Sequence, residues 1–180
     1  MNFHERLPNI AFRVMALFLG VRHRLEDVTK PLKKAGVKEG QTILDFGCGP
    51  GHYAITAAKM VGAKGKVYAL DIHPLAVQSV EKKAKKEGLL NVITILSDKG
   101  TGLPDQSIDL ALAYDMISMV ENKQALAKEL HRVLKPNGIL SVLVEHIKVE
   151  DVLKILEKDG LFSLRERQGH LINLNKGKVS

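Results

Sequence analysis

The segment with the clearest chemical character is the glycine-rich loop at residues 43–51, Ile-Leu-Asp-Phe-Gly-Cys-Gly-Pro-Gly. Gly47, Gly49 and Gly51 alternate along it, and glycine has no Cβ, so the backbone can bend sharply and approach a ligand closely. An apolar run precedes these glycines and a helix-like run follows them. A strand, a glycine turn and a helix in this order bring a nucleoside cofactor against bare backbone. The loop therefore predicts a cofactor site.

Two residues distinguish this loop from a dinucleotide-binding loop. The G-x-G-x-x-G pattern requires a third glycine at position 52, where this chain has His52. Asp45 stands two positions before the first glycine, and its carboxylate would repel a pyrophosphate but attract a cation. S-adenosylmethionine (SAM) carries an α-ammonium and a sulfonium group. The loop therefore favours SAM over NAD, and we keep an NAD-linked oxidoreductase as the less favoured alternative.

The loop resembles motif I of the class I SAM-dependent methyltransferases, in the small-molecule "type 11" branch that includes quinone-biosynthesis enzymes. Further segments resemble that family in the same order along the chain. They are Val-Tyr-Ala-Leu-Asp at 67–71, Leu-Ser-Asp at 96–98, the strand-like run at 108–113 and the Leu-Lys-Pro-Asn-Gly segment within 131–140. The resemblance spans about residues 40–145. It implies SAM as cofactor, with S-adenosylhomocysteine as its product.

The strand-end acids have distinct expected roles. Asp71 ends the second predicted strand, where a carboxylate can accept hydrogen bonds from both ribose hydroxyls; the alternative is a helix N-terminal acid before Pro74. We expect Asp45 to orient the methionine end of the cofactor. The three loop glycines bring backbone to it.

The resemblance adds further cofactor contacts. Ser97 and Asp98 stand where family members contact the adenine amino group, although Asp98 is equally consistent with a turn residue before Gly100. Tyr114, after the fourth strand, offers backbone near the methionine end. The other expected neighbours of the cofactor are Phe46, Cys48, Ile72 and Lys99. For Cys48, a small side chain packed under the turn is the favoured interpretation over a catalytic thiol.

The sequence predicts the acceptor side of the site much less clearly than the cofactor side, and it identifies no catalytic residue. His52 and Tyr53 begin a helix and could close over the methionine moiety, or simply lie on a helix face. Asp115 follows the fourth strand, where ligand-facing residues collect in open α/β sheets. Glu145 and His146 could supply a base, or be exposed loop residues. The spacing of these acids and histidines predicts no metal site.

Alternating apolar runs and helix-like segments position these residues. Strands are predicted at 42–46, 66–71, 92–96, 108–113, 138–144, 162–168 and 171–175, and helices at 52–61, 74–87, 122–134 and 150–159. This alternation predicts an α/β, Rossmann-like, doubly wound and mostly parallel sheet with helices on both faces. The resemblance implies seven strands, the last of them antiparallel. Residues 41–180 would form this core as a single domain.

Residues 1–40 are predicted to form a helical extension that packs on or caps the core. Phe3, Leu7, Ile10, Val14, Leu17 and Val21 recur at helical spacing, and Pro8 either interrupts or starts the helix. Packing across the sheet edge is the favoured interpretation. A lid over the acceptor pocket and a surface that meets a membrane or a lipid-like acceptor stay open as alternatives.

Composition limits the class of protein. The 180 residues are 45% hydrophobic and 26% charged, as is usual for a globular domain. The formal charge is +7, and four of the lysines lie close together on a predicted solvated helix face near 81–87, with the others scattered, so we do not expect a nucleic-acid partner. A single cysteine excludes an intrachain disulfide and suits the reducing cytoplasm. No run is long enough to span a membrane, which leaves peripheral membrane contact open.

The sequence thus predicts an enzyme, a SAM-dependent methyltransferase that methylates a small, hydrophobic acceptor by in-line displacement. The alternative is a SAM-binding regulatory or partner-binding module without turnover. The acceptor, its reacting atom and the oligomeric state are not predicted.

Overall fold

A computed structural model describes residues 7–178, with the backbone alone at 23–25. Its seven strands form a sheet in the order β3-β2-β1-β4-β5-β7-β6, numbered along the chain. β7 runs antiparallel to both of its neighbours, and the pairs β1–β2, β2–β3 and β4–β5 are parallel. The predicted α/β fold, a seven-stranded and mostly parallel sheet with an antiparallel last strand, is confirmed. By contacts, the chain divides into two compact units, and the boundary in sequence lies between Ser97 and Asp98.

The first unit contains three parallel strands and four helices. The strands are β1 (Thr42–Phe46), β2 (Lys66–Asp71) and β3 (Val92–Leu96). The helices are α1 (Asn9–Leu25), α2 (Thr29–Ala35), α3 (His52–Val61) and α4 (Pro74–Lys86). α3 packs on β1 and β2, and α4 packs on β2 and β3. The last four residues of β1 are buried on both faces of the strand, which is why they read as a continuous apolar run apart from Asp45.

The second unit contains the other four strands and two helices. β4 (Ile108–Tyr114) is followed by a short 3₁₀ turn at Ile117–Met119, α5 (Lys123–Val133) and β5 (Leu134–Leu143). α6 (Val149–Leu156) then leads to β6 (Phe162–Gln168) and β7 (Leu171–Lys176). Asn122 caps α5 by accepting a hydrogen bond from the Ala125 N–H. α5 packs on β5, and α6 packs on β6.

The predicted start of the fifth strand at residue 138 is wrong, because β5 begins at Leu134, directly after α5. Leu134 pairs with Ile108 on β4, and the register shifts before Leu110 pairs with Ile139. The irregular pairing admits Pro136, which cannot donate a ladder hydrogen bond.

The N-terminal helix begins after Pro8, which occupies its N-cap. Phe3, part of the predicted apolar repeat, lies outside the described residues. Among the described side chains of α1, Phe12 alone is buried, with 4% exposure. None of the helices within residues 7–178 is long and apolar enough to cross a membrane.

Candidate functional site

The loop after β1 is held by backbone hydrogen bonds to β2. The N–H groups of Gly47 and Cys48 both donate to the Leu70 carbonyl oxygen, each at 2.9 Å. Gly49 and Gly51 adopt left-handed φ values of 50° and 90°. At Gly51 a Cβ would also stand 2.6 Å from a Val80 methyl group on α4, so glycine is required by conformation and by space.

Asp71 joins this loop to the turn after β2. Its Oδ2 accepts the Gly49 N–H and its Oδ1 accepts the His73 N–H, both at 2.8 Å. Burial raises the pKa of the Asp71 carboxyl above its usual value, while these hydrogen bonds act in the opposite direction. A carboxylate offers about four lone-pair positions, so Asp71 keeps capacity for further donors such as hydroxyl groups.

Asp45 is the most unusual group of the site. Its side chain is 2% exposed, and Oδ2 has no hydrogen-bond partner. Burial, with a smaller contribution from the negative charge of Asp71, raises the pKa of Asp45 to about 7, whereas a hydrogen bond from the Ala54 backbone lowers it. A buried acceptor without a partner is costly, and a ligand that brings a cationic donor would remove that cost. This orphaned oxygen fits the ammonium group of SAM.

Cys48 lies near these two acids, and its thiol has low reactivity. Its thiol is buried, and burial together with the charges of Asp45 and Asp71 raises its pKa well above the usual value. The thiol therefore stays protonated at neutral pH, and a protonated thiol is a poor nucleophile. This agrees with the packing role that the sequence favoured.

His73 links helix α4 to the amino-terminal segment, a connection that the sequence does not predict. Its Nδ1 accepts the Leu75 N–H at 3.1 Å and so caps α4, which leaves Nε2 as the protonated nitrogen opposite the Leu7 carbonyl oxygen at 3.0 Å. The imidazole also stacks on Phe12, with 4.2 Å between ring centroids. A polar residue directly before Pro74 at the first helical position was the available signal for the cap. Its contacts with Leu7 and Phe12 had no local signal.

The first unit brings together nine of the predicted site residues at the carboxyl ends of its strands and the loop after β1. The Ser97 N–H donates to the Asp71 carbonyl oxygen at 3.2 Å, so the end of β3 is fixed beside the end of β2. Phe46 is fully buried, and Ile72 is half-buried after Asp71. The nine residues are Asp45, Phe46, Gly47, Cys48, Gly49, Gly51, Asp71, Ile72 and Ser97.

The remaining predicted residues belong to the second unit. Asp98 and Lys99 are exposed at its beginning, and Lys99 lines a shallow cleft with Glu129 and Arg132. Tyr114 is buried at the end of β4, and its hydroxyl lies 3.2 Å from the Ser141 hydroxyl.

The acceptor-side candidates of the second unit meet at the ends of β4 and β5. Asp115 has a left-handed φ of 54°, and its Oδ1 accepts the Glu145 N–H at 3.1 Å. Asp115 therefore fixes the loop that carries Glu145 and His146, both of which are exposed. Among residues 7–178, no three acidic, histidine or cysteine side chains are grouped as metal ligands.

Comparison with known proteins agrees with this arrangement. A family model described as a methyltransferase domain matches residues 37–169. A demethylmenaquinone methyltransferase from Lactobacillus johnsonii is 32% identical over 128 residues, which are 70% of this chain and 52% of that protein. Another from Geobacillus stearothermophilus is 35% identical over 139 residues, which are 76% of this chain and 59% of that protein. The chain thus spans a little over half the length of these curated relatives.

A solved structure matches along the full length. The crystal structure of a SAM-dependent methyltransferase from Aquifex aeolicus has a TM-score of 0.80 and 29% sequence identity. The match covers 97% of this chain and 100% of that one.

Proposed function

The chain belongs to the class I SAM-dependent methyltransferases, and we propose that it transfers the SAM methyl group to a small, hydrophobic acceptor. The observation that carries the proposal is the orphaned, buried Oδ2 of Asp45 beside a glycine loop. A phosphorylated nucleotide brings negative charge and would worsen the burial of this acid. A ligand with an ammonium group would balance it.

The chain's own residues have separate tasks in this proposal. Asp45 receives the ammonium group, and Asp71 accepts the ribose hydroxyls while its hydrogen bond to Gly49 holds the loop in shape. Ser97, Asp98, Lys99 and Tyr114 complete the cofactor contacts. When bound, SAM supplies a methyl group already activated by its positively charged sulfur. The protein then needs mainly to align the acceptor and exclude water.

The nature of the acceptor rests on the relatives. Two of them are named as demethylmenaquinone methyltransferases, which supports a hydrophobic acceptor for this chain. Asp115, in its left-handed conformation, fixes the loop of Glu145 and His146, and these two residues are our candidates for accepting a proton from the substrate. A cytoplasmic location is part of the proposal and rests on the single cysteine.

Calorimetry followed by a transfer assay tests the proposal. We expect the purified chain to bind SAM and S-adenosylhomocysteine, and to transfer a radioactive methyl group from SAM to a demethylated quinone. If the chain binds neither SAM nor S-adenosylhomocysteine, the proposed SAM site is refuted. Binding without transfer to quinones or other apolar acceptors would instead favour a non-catalytic SAM-binding module.

A further inference from the structure

Helix α1 carries an apolar surface that the described core does not cover. Five large apolar side chains are between 53% and 78% exposed. With about 3.6 residues per turn, their spacing places them within roughly a 100° arc of the helix. We call this surface the outer face; it consists of Ile10, Val14, Leu17, Phe18 and Val21.

The helix is attached to its unit by the opposite side. Phe12 points about 170° away from the middle of the outer face, given the helical repeat. It is 4% exposed and stacks on His73. Attachment through Phe12 therefore leaves the outer face directed away from the residues that α1 packs against.

Two arginines border the outer face. By the helical repeat, Arg13 and Arg22 each lie about 90° from its middle, on opposite sides. Helix α1 contains no Asp or Glu. Arg22 pairs with Glu26 beyond the helix, with Nε 3.1 Å from the carboxylate, but a guanidinium has five N–H donors and retains capacity for another anion. An apolar strip bordered by cations is complementary to acyl chains below anionic headgroups.

A second copy of this chain is a poorer match to the same surface. Arg13 and Arg22 lie on opposite edges of the outer face, so each edge of a parallel or antiparallel pair would carry arginines from both copies. Helix α1 has no acidic residue to pair with them, whereas anionic headgroups would supply the opposite charge.

We propose that α1 docks the protein on a bilayer that contains anionic lipid, with the outer face among the acyl chains and Arg13 and Arg22 at the headgroups. The helix lies parallel to the surface in this arrangement. The contact is independent of methyl transfer, so its failure would leave the proposed enzyme activity intact.

Vesicle co-sedimentation of the full chain tests the proposal. We expect binding to vesicles of phosphatidylcholine mixed with phosphatidylglycerol, and weaker binding to phosphatidylcholine alone. The double variant Leu17→Ser/Phe18→Ser should lose at least about tenfold in vesicle affinity, because two apolar side chains leave the contact. Leu90→Ser is the matched control, since Leu90 is 98% exposed outside α1, and it should bind as the parent does.

Charge and oligomeric state complete the experiment. Arg13→Gln should weaken binding to the anionic vesicles and leave binding to phosphatidylcholine unchanged. Circular dichroism checks that every variant retains its helices. The proposal is overturned if the parent chain does not bind anionic vesicles, or if the double variant binds them as tightly as the parent does. It is also overturned if sedimentation velocity shows a dimer that the double variant abolishes while vesicles are not bound.

Discussion

Two carboxylate clusters, one in each unit, have opposite electrostatic character. In the first unit, burial raises the pKa values of Asp45 and Asp71, and Asp45 keeps an oxygen without a partner. In the second unit, the hydrogen bond from Arg132 is the largest of the effects that lower the pKa of Glu129 to about 2. Glu129 also accepts the backbone N–H of Thr101 at 3.0 Å and its hydroxyl at 2.6 Å.

The difference separates the ligand site that we propose at Asp45 and Asp71 from the structural ion pair of Glu129 and Arg132. Arg132 pairs with Glu129 within the protein, so the charge of Glu129 is already balanced without a ligand. Asp45 has a second acid as its neighbour, and no described cation is among the groups that shift its pKa. The direction of a pKa shift thus indicates whether a buried acid is complete or awaits a partner.

Removing Asp71 should have the largest effect. Asp71→Ala deletes the proposed ribose acceptor and the hydrogen bonds that hold Gly49 and His73, so SAM affinity should fall about a hundredfold or more by calorimetry. Asp71→Asn is the matched control, because it keeps one oxygen and the size of the side chain, and it should lose less. Parent-like affinity in Asp71→Ala would show that this acid does not hold the cofactor.

Asp45→Asn should move binding and stability in opposite directions. SAM affinity should fall roughly tenfold, while the cofactor-free protein should melt at a higher temperature at pH 8, because the buried charge is gone.

The Asp45 carboxyl has a pKa of about 7 in the folded state and a reference value of 3.8, so the unfolded state loses this proton at lower pH than the folded state does. The parent should therefore lose stability as pH rises from about 4 to about 7, and Asp45→Asn should lack that loss. Melting curves across this range check it, and equal slopes would contradict the burial of a charged Asp45.

Glu129→Gln should destabilise the fold without touching cofactor binding. The free energy of unfolding should drop by about 1 kcal/mol, a modest value because solvent screens a partly exposed pair. The pKa of Glu129 is about 2 when folded and 4.5 as reference, so its contribution is complete above about pH 4.5 and is lost as pH falls toward 2. Urea unfolding at several pH values measures this. A weakened SAM affinity would remove the distinction between the two clusters.

The smallest effect belongs to Cys48. Cys48→Ala should change SAM affinity by no more than about twofold, because the protonated thiol contributes volume and no charge. In the parent chain, alkylation by iodoacetamide should be slow at neutral pH. Rapid alkylation of the folded protein would show that the raised pKa and burial of this thiol are wrong.

Local patterns made much of the first unit predictable. The strands that carry Asp45 and Asp71 are mainly apolar runs with an acid at or next to the carboxyl end, and the glycine spacing predicts the turn between β1 and α3. The raised pKa of Asp45 could not be predicted, because it depends on burial and on Asp71, which is 26 positions away in sequence.

Periodicity alone also left α1 undecided. The helix has apolar residues on both sides, and the recurring set that includes Ile10 and Leu17 is exposed while Phe12 is buried. Only the tertiary partner, His73, determines which side packs. The early start of β5 has a similar cause, since Leu134 joins the strand by pairing with Ile108 despite the following proline.

The stacked pair of Phe12 and His73 offers a spectroscopic window on this molecule. The chain has no tryptophan, so an indole introduced in place of the Phe12 ring would be its sole long-wavelength fluorophore. That ring would stand against an imidazole two residues after Asp71. Its fluorescence emission would then show whether helix α1 remains packed against His73 while a ligand binds to or leaves the neighbouring strand ends.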